Sequence, residues 1–70
     1  MDETKIKIRD YPIKLGQFLK LAEVVQDGIE AKFMIINDEV TVNGVIENRR
    51  GRKLHLNDRV EAGGITFVLA

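Results

Sequence analysis

Seventy residues, 44% of them hydrophobic and none of them cysteine, bound the chain to one small domain whose core must hold without a disulfide or a thiolate metal site. The opening segment MDETKIKIRD has no apolar run after its charges, and no stretch approaches the roughly 20 apolar residues of a membrane span. A signal peptide and a spanning helix are thereby excluded, and a soluble cytoplasmic protein is expected. The formal net charge is zero, yet residues 1–48 hold six basic and nine acidic side chains while residues 49–70 hold five and two. The neutral total divides into −3 and +3, the asymmetry a binding face needs.

Taken in chain order, residues 4–9 (TKIKIR) alternate, placing Ile6 and Ile8 toward a core, as in a half-buried strand. Asp10-Tyr11-Pro12 breaks it. Residues 13–26 show helical spacing, with Leu15, Phe18, Leu19, Ala22 and Val25 on one side, so a helix is expected near residues 14–25. Gly16 is a weak point in it. At Asp27-Gly28 this helix should end and a second begin, with Asp27 as cap and Glu30 as its capping-box partner. The second helix, residues 29–36, puts Ile29, Phe33 and Ile36 on one stripe, and Asn37-Asp38 closes it. So short a turn predicts a helix-turn-helix unit. The period then changes to two. Val40, Val42 and Val45 suit one sheet face, with Asn43-Gly44 as a hairpin turn. Leu54 and Leu56 read as inward. Arg59 to Ala62 and Ile65 to Leu69 read as a closing hairpin over Gly63-Gly64, with Ile65, Phe67 and Leu69 toward the core. The expected fold is α+β, a two-helix unit packed on one face of a small antiparallel sheet, and residues 1–70 form a single domain.

Four of the five residues from Arg49 to Lys53 are basic: Arg49, Arg50, Arg52 and Lys53. Such a run is often only solvated, but mutually repelling cations resist ordering without a counter-charge. A phosphate backbone supplies one, and arginine meets phosphate in bidentate fashion. Glu47 should orient Arg49 or Arg50. Catalytic chemistry is poorly supplied. His55 is the only histidine, there is no serine, and no histidine or cysteine cluster could hold zinc. His55 reads as a solvated strand residue. A non-enzyme without cofactor, metal or small-molecule substrate is expected. The three phenylalanines all fall on expected core stripes, which leaves Tyr11 as the one free aromatic. Modules that read single strands stack bases on exposed aromatics, so recognition here should rest on phosphates, 2′-hydroxyls and shape.

The segment from Lys14 to Ala62 resembles the RNA-binding domain named for the small-subunit ribosomal protein S4, whose recognition unit is called the αL motif. The matching features are the leucine-rich helix KLGQFLKLAEVV, the turn DGIEAK, VTVNG, a glutamate, the basic stretch, and the Asn57-Asp58 turn before the last strands. The match is closer to the short stand-alone bacterial members, the YbcJ and YaaA types. The resemblance implies a monomeric, ribosome- or translation-associated protein that binds structured RNA, whether ribosomal, transfer or messenger. By position it implies that Lys14, Lys32, Arg49, Arg50, Arg52 and Lys53 form the RNA-binding set. Larger members often have Ser-Arg at the turn between the helices, where this chain has Asp27-Gly28, and an acid there would repel phosphate. Two rivals are an adaptor whose basic loop meets an acidic protein and a ubiquitin-like sulfur carrier. The carrier would need a free C-terminal Gly-Gly, whereas Gly63-Gly64 is followed by six residues.

Overall fold

The structure, a computed structural model, describes residues 3–70. Strand β1 (Glu3–Ile6) is followed by β2 (Ile13–Lys14), helix α1 (Leu15–Leu21) and helix α2 (Gly28–Ile36). Five further strands complete the chain: β3 (Thr41–Val42), β4 (Val45–Ile46), β5 (Lys53–Leu54), β6 (Arg59–Ala62) and β7 (Ile65–Leu69). Five strands form one sheet in the order β1-β7-β6-β3-β4, and β2 and β5 form a separate two-stranded ladder. The α+β class and the helix pair agree with the sequence. The sheet is mixed rather than antiparallel, because β1 runs parallel to β7, with Glu3 opposite Thr66 and Ile6 opposite Leu69. Both expected hairpins form, and their turn residues Asn43, Gly44, Gly63 and Gly64 all have positive φ, as two-residue turns of this hand require.

Helix α2 starts as expected. The Asp27 carboxylate accepts from the Glu30 amide at 2.8 Å, and the Glu30 carboxylate accepts from the Gln26 amide at 3.2 Å. Helix α1 is shorter than its apolar spacing suggested. Lys14 is extended and belongs to β2, and Glu23 takes a left-handed φ of 61°. The Val24 amide donates to the Leu19 carbonyl and the Glu23 amide to the Lys20 carbonyl, the paired bonds of a Schellman ending. Asp38 (φ 60°) closes α2 likewise, with Glu39 donating to Met34 and Asp38 to Ile35. Ala22, Val24 and Val25 still pack on the core although they lie past the helix.

The core joins Leu15, Phe18 and Leu19 of α1 to Ala31 and Ile35 of α2 and to Val60, Phe67 and Leu69 of the sheet. Phe18 and Phe67 meet edge to face with centroids 5.8 Å apart, a favoured aromatic geometry. Several expected burials are reversed. The face α2 buries is built on Ala31 and Ile35, which leaves Ile29, Phe33 and Ile36 exposed. Val45 is exposed on the edge strand β4, Leu56 lies beyond β5, and Ile65 is exposed at the tip of the last hairpin. The aromatics exchange roles. Tyr11 is half-buried with its hydroxyl donating to the Ala70 carbonyl at 3.0 Å, and Phe33 is the exposed ring.

Candidate nucleic-acid interface

The basic segment is held against the start of α1. Glu47 extends the chain beyond β4, its amide donating to the Val40 carbonyl at 3.0 Å, and its side chain turns inward until the residue is only 6% exposed. Arg49 donates to its carboxylate from the backbone at 3.1 Å and from Nε at 2.9 Å, and Arg52 donates from Nη1 at 2.7 Å. A second guanidinium nitrogen of Arg49 lies 3.2 Å from the other oxygen. These hydrogen bonds, with Arg49 foremost and then Arg52, hold the Glu47 carboxyl down at about 2 against the opposition of burial. Glu47 therefore orients Arg49, as expected, and Arg52 rather than Arg50.

Two carbonyls of the loop cap the helix. The Leu15 amide donates to the Arg52 carbonyl at 2.8 Å and the Gly16 amide to the Arg50 carbonyl at 3.0 Å. The N-cap Lys14 offers no side-chain cap, so the loop satisfies amides that would otherwise be orphaned. Gly16 explains itself here. A Cβ at that position would lie 2.6 Å from Cγ of Arg50, so only glycine lets the arginine stem cross the helix start.

An open groove of about 310 Å³ results where β2, α1, α2 and the loop meet. Its cations are Lys14, Lys20 and Arg50, its small residues are Gly16, Gly28, Gly51 and Ala31, and Gln17 adds an amide. No acid lines it. Lys53 adjoins it, because β2 and β5 pair antiparallel with Lys14 directly opposite Lys53. Like charges in that register oppose pairing, and neither lysine has a salt bridge among the described residues. A cation at a helix start is also unfavourable to the helix dipole. One anion seated here would relieve both.

The six residues singled out in the sequence thus divide. Lys14 and Arg50 line the groove, and Lys53 stands opposite Lys14 beside it. Arg49, its side chain still 71% exposed, and Arg52, at 33%, are paired with Glu47. Lys32 is exposed on α2 but does not line the groove. Lys20 and Gln17 are the additions. Their signal was local: Gly16 and Lys20 stand one helical turn apart, so a partner crossing the glycine also meets the lysine. Asp27, the acid at the turn between the helices, is engaged as the cap of α2. No group of three or more His, Cys, Asp or Glu side chains able to hold a metal occurs among the described residues, and none of their helices is long and apolar enough to cross a membrane.

A helix pair set on a small mixed sheet, with a cationic groove where helix and loop join, defines a compact α+β domain of the αL type. The chain belongs to the S4 domain family, whose sequence profile matches residues 6–70. A Bacillus subtilis (strain 168) protein called probable ribosome maturation protein RlbA is 52% identical over 59 residues, spanning 84% of this chain and 83% of that protein. The solution structure of YbcJ from E. coli, reported to reveal an αL motif involved in RNA binding, matches with a TM-score of 0.74 at 24% identity. That match covers 100% of this chain and 90% of the other, and it establishes the likeness of fold.

Proposed function

We propose that this protein binds structured RNA without catalysing a reaction on it, and that the groove beside α1 holds the RNA backbone. The carrying observation is the convergence of Lys14, Lys20 and Arg50 on a groove with no acid, next to a Lys14–Lys53 pair that lacks a counter-charge. Phosphate is the ligand that completes such a site. Arg49 and Arg52 stiffen the loop through Glu47, Arg49 keeps an exposed edge for a further contact, and Lys32 extends the positive surface along α2. Family membership and the ribosome-maturation role named for the Bacillus relative support this reading and put ribosomal RNA first among the targets.

Salt titration of RNA binding tests it. Each phosphate contact contributes roughly 0.7–0.9 to the slope of log affinity against log salt. Replacing Lys14, Arg50 and Lys53 together by alanine should flatten the slope by about 2–3 units. Replacing Arg49 alone should change it by less than about one unit. A thermal melt controls for folding. An unchanged slope in a folded triple variant would overturn the assignment and move the adaptor reading ahead.

A further inference from the structure

The exposed side of α2 carries an apolar stripe that the phosphate groove does not use. Ile29, Phe33 and Ile36 are 67%, 56% and 51% exposed. Single exposed hydrophobics are ordinary, whereas a contiguous apolar patch of a few hundred Å² is often functional. Counting about 100° per residue round the helix, Lys32 lies roughly 40° from the groove-lining Gly28, Ile36 and Ile29 roughly 80–100°, and Phe33 roughly 140°. One continuous surface therefore runs from the cationic groove, across Lys32, to an aromatic ring between two isoleucines. The nearest acid on the helix, Glu30, is drawn back to the Gln26 amide at the helix start. The stripe is positive on its groove side and has no carboxylate between itself and the groove.

We infer that this stripe seats an unpaired base, flipped or bulged from the RNA whose backbone occupies the groove, with Phe33 as the stacking ring and Lys32 holding the phosphate between. The inference rests on the RNA-binding reading above. Area argues against a protein occupant. Three side chains at this exposure offer roughly 300 Å², against about 800 Å² per partner in a stable protein interface. One nucleobase needs no more than the stripe provides, since every base has a π-face that stacks on an aromatic ring. Charge argues the same way on the groove side, where the patch opens onto cations that would accompany a phosphodiester, while Asp38 and Glu39 stand past Ile36 at its far end.

The test uses two RNA hairpins identical except for a one-nucleotide bulge, titrated by fluorescence anisotropy against the wild type, Phe33→Ala, Phe33→Tyr and the Lys14/Arg50/Lys53 alanine triple. The wild type should prefer the bulged hairpin. Phe33→Ala should weaken binding to it by between about fivefold and a hundredfold, leave the unbulged hairpin and the salt slope nearly unchanged, and melt like the wild type. Phe33→Tyr should keep the preference. The triple should weaken binding to both hairpins, which separates the groove from the stripe. Equal affinities of the wild type for both hairpins, or a preference surviving in Phe33→Ala, would overturn the base seat while leaving the groove intact. Binding of neither hairpin would overturn both readings. Concentration-dependent dimerisation abolished by Phe33→Ala, seen by sedimentation, would assign the stripe to a second copy of the chain and overturn the proposal.

Discussion

Glu47 is the residue on which the loop depends. It is a buried carboxylate with two guanidinium partners and a backbone donor, and it converts a run of repelling cations into a fixed surface. Its depressed pKa makes it a stability element with a definite pH window. A carboxyl whose folded pKa lies below its unfolded value stabilises the fold fully above the unfolded value and loses that contribution as pH falls through the folded one. For Glu47 the window runs from its ordinary 4.5 down to about 2. Glu47→Gln should destabilise the fold at pH 7 by on the order of 1–3 kcal/mol, seen as a lower melting temperature, and should lack this component of acid destabilisation. The two melting curves should converge near pH 2. Curves that stay parallel from pH 7 to 2 would mean that Glu47 contributes nothing through its charge. Arg52 is the other half of this device. Truncating it leaves a buried carboxylate short of a donor, so it is not a neutral surface change in the way a solvated arginine is.

At the scale of elements, α1 and the basic loop are one unit. The loop caps the helix with its carbonyls, and the helix admits the loop by having no Cβ at Gly16. Gly16→Ala sets a helix-propensity gain of about 1 kcal/mol against displacement of the Arg50 stem. The expected outcome is a protein whose stability lies within about 1 kcal/mol of the wild type yet which binds RNA severalfold more weakly, read by anisotropy beside a thermal melt. Wild-type affinity would show that Arg50 need not lie across the helix. The start of α2 and both hairpins were legible in the chain, because Asp27, Asn43-Gly44 and Gly63-Gly64 signal locally. The end of α2 at Asn37-Asp38 was legible too, whereas the end of α1 was not, because Glu23 adopts the left-handed conformation that usually advertises itself as glycine. Nor was the covered face of α2. Periodicity shows which residues share a stripe but not which stripe is covered, and here Ala31 and Ile35 packed inward because alanine lets the helix approach its neighbours. The basic loop was plain in the sequence, but its division between Glu47 and the groove depended on a burial that no spacing reveals. The parallel pairing of β1 escaped for a related reason, since turn chemistry reports only the pairing of strands that are neighbours in the chain.

Across the whole molecule charge is sorted into two separated grooves, each drawing on both halves of the chain. Gly28 and Ala31, near the start of α2, line the cationic one, and Asp38 and Glu39, just past its end, line a second groove of about 510 Å³ with Glu61. The helix between them spans nine residues, roughly 13 Å at 1.5 Å per residue. A polyanion approaching this dipole is steered to one end and repelled from the other. Replacing Glu39 and Glu61 by glutamine should therefore increase retention on heparin while leaving the melting temperature nearly unchanged, and unaltered retention would dismiss the acidic groove as a guide. The parallel pairing of the outer strands has a different consequence. Glu3 finds its partner at Thr66, and Ile6 finds Leu69, so one of the earliest strands made waits for one of the last. Chains emerge from synthesis at about 5–20 residues per second. For several seconds the nascent helix pair must therefore exist without Phe67 and Leu69, two of the buried residues it packs with. The core of this domain therefore stays open until β7 is made, pairs with β1 and brings Phe67 against Phe18.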